Sequence, residues 1–291
     1  LEFPPRPALL PALPAQERVY FLQALMPSMA AYQCQERMTL KGALDVSALE
    51  RGLSEIVARH EIYRTTFPAV DGRLVQEIHP PYPIRLPVID LRGLDAVEQE
   101  IERQTEQAMQ RPLAIDRLPL IHWTLLKLKD DEHLLIHVEH HMVHDGWSFQ
   151  VFLGELLALY RAYSQGQPSP LTQPPPQFAD YACWQNVWLA SDDAAQQLAY
   201  WTQKLAGCPP LLELPYDRPR PARQTFNGEK LRQDLPLELC QGLRRLGHER
   251  HATLFMSMFA AFLVLMHRYS GQTDLCIGSG VANRNAAELE A

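Results

Sequence analysis

Five prolines fall within twelve residues of this chain: Pro168, Pro170, Pro174, Pro175 and Pro176, in the segment GQPSPLTQPPPQ spanning 166–177. Each fixes its own φ and removes a backbone donor, so the segment can lie neither inside a helix nor in a central strand. It reads as a stiff, extended connector. It separates residues 1–165, an N-terminal lobe, from residues 178–291, the beginning of a C-terminal lobe. The length of 291 residues independently predicts about two domains. A second proline-rich stretch at 214–221, LPYDRPRP, reads as an ordered loop.

Hydrophobic periodicity on either side of the connector predicts an α/β chain with mixed strand order. Before it, helices are expected at 14–25, 46–59, 94–110 and 147–163. The second carries Leu49, Leu53, Ile56 and Val57 on one stripe, and the third is polar and exposed. Strands are expected at 32–40, 63–70 and 73–79, the last two forming a hairpin around Asp71-Gly72. A second strand pair, 120–128 and 133–140, surrounds the polar turn 129–132. After the connector, helices are expected at 178–189, 192–205, 237–249 and 252–269, with strands at 230–235 and 274–281. The most apolar run, 254–266, fits a buried helix. Trp184, Trp188 and Trp201 read as packing residues.

Composition excludes several classes. With 27 Lys and Arg against 34 Asp and Glu, the net charge is −7, which argues against a general nucleic-acid binder. No apolar run approaches the ~18 residues of a membrane span, and the first residues lack the pattern of a signal peptide. The five cysteines, Cys34, Cys183, Cys208, Cys240 and Cys276, are scattered and form no CxxC. They read as reduced cytosolic thiols rather than a disulfide frame or a zinc site.

The residues with most chemistry are His140-His141-Met142-Val143-His144-Asp145-Gly146-Trp147-Ser148, at the junction of the strand 133–140 and the helix 147–163. Strand side chains alternate, so Leu134, Ile136, Val138 and His140 share one face while Leu135, His137, Glu139 and His141 share the other. One of the two histidines can pack inward while its neighbour faces an open channel. A neutral imidazole takes up a proton near physiological pH. Asp145 is expected to order the loop through an arginine, whose planar fork suits a partly buried carboxylate. Gly146 permits close approach of the backbone, and Ser148 is a candidate cap for the helix. Metal binding by His and Asp is the rival reading, weakened by the divergence of His140 and His141 and the lack of an HExxH set. No GxSxG elbow, GxxxxGK[ST] or GxGxxG occurs; Gly278-Ser279-Gly280 lacks the elbow spacing.

His140 to Gly146 resembles the HHxxxDG motif of the condensation domains of nonribosomal peptide synthetases, a motif shared with chloramphenicol acetyltransferase-like acyltransferases. Three more segments resemble that family in the right order. Ala15-Gln16-Glu17-Arg18-Val19-Tyr20-Phe21-Leu22 is similar to SxAQxRLWxL, with Pro14 near the usual Ser. Residues 59–67, RHEIYRTTF, are similar to RHExLRTxF with Tyr63 for Leu; residues 178–184, FADYACW, are similar to YxDYAxW. The segments 214–221 and 277–284 (IGSGVANR) also resemble the family, so the likeness spans nearly the whole chain.

The resemblance implies a chloramphenicol acetyltransferase-like α/β fold: two lobes in a V with an active-site tunnel between them. The family continues past the IGSGVANR segment, so a truncated second lobe is expected. Donor acyl and acceptor aminoacyl groups would arrive as thioesters on the phosphopantetheine arms of carrier proteins, with no cofactor and no metal held by the chain itself. Partners would be peptidyl or acyl carrier proteins and neighbouring synthetase domains, in the cytoplasm. By motif position, His141 is the active-site histidine and Gly146 supplies a backbone N–H near the thioester. His140 is the packing histidine, and Asp145 is structural with Arg64 as its expected salt-bridge partner. Trp147 and Ser148 are candidates for lining the channel. The motif lacks the two aspartates of cyclising domains. Val143 to Ser148 resembles starter domains, which join a fatty acyl group to the first amino acid. The alternatives are an ordinary peptidyl elongation domain, a stand-alone acyltransferase using acyl-CoA, and a non-catalytic docking module of the same fold.

Overall fold

In the computed structural model, residues 1–26, 32–172, 176–222, 225, 228–229, 231–284 and 286–289 are described. Along the chain run β1 (Leu10–Pro11), α1 (Pro14–Leu25), β2 (Gln33–Lys41) and α2 (Val46–Arg59). A 3₁₀ turn (Glu61–Arg64) leads into β3 (Thr65–Thr66), β4 (Ala69–Val70), β5 (Arg73–Ile78) and β6 (Val88–Asp90). Then come α3 (Val97–Gln110), β7 (Ile121–Lys129), β8 (Glu132–His140), α4 (Gly146–Ser164) and α5 (Phe178–Leu189). The remaining helices are α6 (Asp192–Lys204), α7 (Leu237–Glu249) and α8 (Leu254–Ser270), with a last 3₁₀ turn at Ala287–Leu289.

Eight of the nine residues of β8 are buried, because the strand is central and covered on both faces. It pairs antiparallel with β2 on one side and with β7 on the other, and β6 adds to β7 in parallel, giving the order β2-β8-β7-β6. A smaller sheet has the order β1-β5-β3, with β4 paired to β5 through the Asp71-Gly72 turn. Both turn residues have positive φ, which glycine accepts without cost and aspartate tolerates.

The stripe on α2 is buried at Ala48, Leu49, Gly52, Leu53, Ile56 and Val57. Asp45 caps the helix by accepting the Ala48 N–H at 3.0 Å. α2 packs against α4, which buries Phe152, Leu156, Leu159 and Ala162. A Cβ on Gly52 would stand 3.3 Å from Leu156 Cδ1, so the missing side chain lets the two helices approach.

The chain forms two compact units, residues 1–194 with 282–291, and residues 195–281. The division falls after α5 rather than at the proline run, of which Pro174 and Pro175 lie outside the described residues. α5 belongs to the first unit because it packs on β1 and on the 3₁₀ turn. Arg6 reinforces this by bridging Asp180 at 2.7 Å and Glu61 at 2.8 Å. Residues 1–165 and 178–194 therefore share one body, a boundary that charge pairing between distant segments sets.

In the second unit, the helix expected to be buried is not: no residue of α8 is buried, and Phe255 and Met256 are 62% and 56% exposed. α7 packs against it and leaves the rest of its surface open. The turn between them needs Gly247, where a Cβ would meet Ala252 O at 2.8 Å. The strands expected at 230–235 and 274–281 are absent among the described residues: 231–235 and 274–281 are irregular, and no neighbouring strand offers them a ladder. Lys230 lies outside the described residues. Tyr63 and Arg64, read as the start of the strand 63–70, belong to the 3₁₀ turn Glu61–Arg64 instead. Trp201 is 55% exposed rather than packed. All five cysteines are free. No single helix among the described residues is long and apolar enough to cross a membrane.

Candidate active site

His140 ends β8, opposite Gln33 of β2, and is fully buried; the next residue, His141, is exposed. The His141 N–H extends the ladder by donating to Tyr32 O at 2.8 Å, so its backbone is held although its imidazole is open. Burial, and then the neighbouring His141, lower the His140 pKa to about 4, so its ring is neutral. His140 Nδ1 accepts the Met142 N–H at 3.1 Å, which leaves the ring proton on Nε2, facing Gln23 Oε1 at 3.2 Å. Gln16 of α1 adds a second tie: its Nε2 donates to Met142 O at 3.0 Å while its Oε1 accepts the Leu13 N–H at 3.0 Å. Both glutamines come from the segment 15–25, so α1 serves as the brace for the histidine loop.

The loop ends at Asp145, which is the N-cap of α4. Its Oδ1 accepts the Ser148 N–H at 2.8 Å and the Ser148 hydroxyl at 2.7 Å, so Asp145 caps the helix and Ser148 is its donor. The arginine on Asp145 is Arg284, not Arg64. Arg284 Nη1 reaches Oδ2 at 2.9 Å and Nη2 reaches Oδ1 at 3.2 Å, a fork-on-fork pair. Burial pushes the Asp145 carboxyl up, but the bonds from Arg284 and Ser148 outweigh it and hold its pKa at about 2. Arg64 is turned away: it donates to His79 O at 2.5 Å and lies 3.9 Å from Glu61. The 3₁₀ turn fixes that direction, since the RHE segment leaves α2 through Glu61–Arg64 and only then enters β3.

A pocket opens beside this loop, lined by His60, Tyr63, Trp147, Ser148, Phe152 and Arg284 among others. Arg284 lies over the Trp147 ring at 5.7 Å, so one guanidinium serves both the carboxylate and the indole. Behind His60, Glu155 of α4 pairs with His60 Nε2 at 2.6 Å and accepts from Arg59 Nε at 2.9 Å. Gly146 begins α4, and a Cβ there would meet nothing within 4 Å. The chain's own packing thus does not require a glycine at 146, and the space beside its backbone is left open. Among the described residues no group of three or more His, Cys, Asp or Glu is placed to hold a metal ion.

The geometry therefore joins Asp145, Trp147 and Ser148 with Arg284 and leaves Arg64 outside; Gly146 starts α4 between them, and His141 stands on the same loop without lining the pocket. Residues 8–291 match the family model of the condensation domain. The chain belongs to the condensation-domain family. It is 44% identical over 287 residues to one of the linear gramicidin synthase proteins of Brevibacillus parabrevis, and 45% identical over 293 residues to chondramide synthase cmdD of Chondromyces crocatus. Those alignments cover 98% and 99% of this chain but 6% and 8% of the two relatives, so it spans less than a tenth of their length. Among solved structures, it superposes on the first condensation domain of the CDA synthetase with a TM-score of 0.79 and 26% identity, over 97% of this chain and 67% of that one. The X-domain from teicoplanin biosynthesis gives 0.82 and 30%, over 94% and 60%. The α/β architecture is thus the chloramphenicol acetyltransferase-like fold of these domains. Condensation domains form amide bonds in nonribosomal peptide synthesis.

Two features were not legible in the sequence. Arg284 stands in the segment 277–284, which resembles the family, but nothing in its spacing points to Asp145, 139 residues away. Gln16 stands in the first motif and Gln23 just after it, and nothing in that segment marks Gln16 as buried, although it is 5% exposed.

Proposed function

We propose that this condensation domain is catalytic and that His141 is its reacting-site imidazole. The observation that carries this is the division of labour in the loop: His140 is buried and neutral, Asp145 is engaged by Arg284 and Ser148, and His141 keeps an exposed ring on a fixed backbone. In the proposed reaction an acceptor aminoacyl amine attacks a donor acyl thioester, each delivered on a carrier-protein phosphopantetheine arm. His141 takes up or orients the proton leaving the amine, the thiolate departs, and an amide remains. The Gly146 N–H, at the N-terminus of α4, faces the site where negative charge develops on the thioester oxygen. Holding two arms in attack geometry is itself worth about 7–11 kcal/mol, so positioning carries much of the rate.

The donor proposed first is a fatty acyl thioester, on the likeness of Val143–Ser148 to starter domains. A peptidyl elongation role is the second reading. It is favoured by identities of 44%, 42% and 41% to three different proteins of one linear gramicidin synthase. A recruitment role has its own support in the X-domain, which shares the fold and has been solved in complex with OxyB. The test is amide formation by the chain, alone and within a synthetase module, with fatty acyl, aminoacyl and peptidyl donors and a carrier-loaded aminoacyl acceptor, beside His141→Ala. Product that needs the carrier and His141 and prefers the fatty acyl donor supports the first reading. Product only with aminoacyl or peptidyl donors moves it to elongation, product from acyl-CoA without a carrier to the stand-alone transferase, and no product with any donor to recruitment.

A further inference from the structure

Two residues before the exposed histidine stands a buried carboxylate that the reaction above does not use. Glu139, one residue from the end of β8, is 4% exposed. Its Oε2 lies 3.0 Å from His137 Nε2, and its Oε1 is in close contact with His144 Nδ1. His137 is fully buried and His144 is 8% exposed. His137 Nδ1 accepts the indole N–H of Trp123 at 2.9 Å, so the hydrogen on a neutral His137 is on Nε2, the nitrogen that approaches Glu139 Oε2 at ion-pair distance without hydrogen-bond geometry. The rings of Tyr63, Trp123, Phe149 and Phe152 surround the two imidazoles. Among the described residues, the ion-pair partners of Glu139 are these two histidines, with no lysine or arginine.

An ionised carboxylate at such a depth is costly unless it is paired. Burial pushes the Glu139 carboxyl up, but the two histidines draw it below the ordinary glutamate value, so it is the charged partner of the network. Around it stand Tyr63 from the 3₁₀ turn and, directly opposite in the sheet, Cys34 on β2 and Ile121 on β7; His141 follows two residues onward, just past the end of β8. The contact from Glu139 to His144 therefore closes a six-residue loop whose middle holds His141. The outer side of that loop is braced by Gln16 on Met142 and by Arg284 on Asp145. Glu139 braces the inner side.

We infer that Glu139, acting through His144, is a positioning residue for His141, an assignment that rests on the reading of His141 as the reacting group. Glutamine can take its place only by changing a tautomer. Its carbonyl oxygen can face His137 Nε2 and leave the Trp123 bond intact, but its amide N–H then meets His144 Nδ1. That moves the His144 proton onto Nε2, a buried nitrogen with no hydrogen-bond partner among the described residues.

The test compares Glu139→Gln and Glu139→Asp with the unsubstituted chain by two readouts. The first needs no turnover. In ¹⁵N-histidine spectra of the unsubstituted chain, His144 Nδ1 should be protonated. In Glu139→Gln the amides of residues 141–144 should exchange about tenfold faster, with those of β7 unchanged. The second is amide formation, where kcat should fall about tenfold at unchanged KM in Glu139→Gln and recover most of that loss in Glu139→Asp. Exchange at 141–144 that stays at the unsubstituted rate, or a His144 Nδ1 without its proton, overturns the assignment. Faster exchange beside a fully active His141→Ala would keep the brace and refute the reading of His141. If Glu139→Gln does not fold, the aspartate variant and the spectra of the unsubstituted chain decide.

Discussion

Replacing Arg284 by leucine isolates what the loop owes to its ion pair. The substitution removes both bonds to Asp145, the 3.2 Å bond to Ser148 Oγ and the contact with Trp147, while Asp145 keeps its cap bonds from Ser148. A carboxyl held at about 2 rather than 3.8 corresponds to roughly 2.5 kcal/mol for the whole set of interactions at 1.36 kcal/mol per pH unit. The Asp145 side chain is 39% exposed and Arg284 21%, and part of the set survives in Ser148. Solvent screening and that survival reduce the expected loss in Arg284→Leu to about 1 kcal/mol. The folded pKa is depressed, so the stabilisation is present above the unfolded value of 3.8 and is lost as pH falls through about 2. The gap between the two proteins should therefore be constant from about pH 5 to 8, fall by about half near pH 3, and close below pH 2. Denaturant unfolding at pH 7, 5 and 3, followed by tryptophan fluorescence, measures it. Stability equal to the unsubstituted protein at pH 7, or a deficit of the same size at pH 3, would refute the ion-pair account. Amide formation by this variant should fall about tenfold or more, since the loop that presents His141 loses its outer brace.

Three further outcomes are expected. His141→Ala should lower amide formation by about 10²–10⁴-fold if the imidazole moves the proton, and by much less if it only orients the amine; the pH dependence of kcat separates the two. Gly247→Ala should destabilise the α7–α8 turn by more than about 1 kcal/mol, because its Cβ would meet the backbone oxygen of Ala252 at 2.8 Å, and earlier thermal unfolding or faster proteolysis between α7 and α8 would report it. Asp45→Ala should cost about 1 kcal/mol by uncapping α2, seen as a lower denaturant midpoint with unchanged slope.

Local signals carried much of the fold. α1, α2, α5 and α7 follow the helical pattern of their own residues, and the Asp71-Gly72 hairpin follows its turn chemistry. The strands at 230–235 and 274–281 did not appear, because an alternating run becomes a strand only beside a partner with an open edge. α8 shows the same limit: 17 apolar-rich residues specify a helix but not what covers it. Within the site, alternation put His137 and Glu139 on one face of β8, where they meet, whereas His141 lies one residue past the strand's end, in the turn that exposes it.

What the sequence determined by itself was the order of elements, the faces of β8 and the motif that names the family, because these depend on residues within a few positions of one another. The tertiary structure alone decided which arginine meets Asp145, which glutamines brace the loop and where the units divide. Each of these is a contact between segments more than a hundred residues apart, from Gln16 to Met142, Arg6 to Asp180 and Asp145 to Arg284. Several charged groups of similar chemistry could meet each carboxylate, and only the path of the chain in space selects the one that arrives.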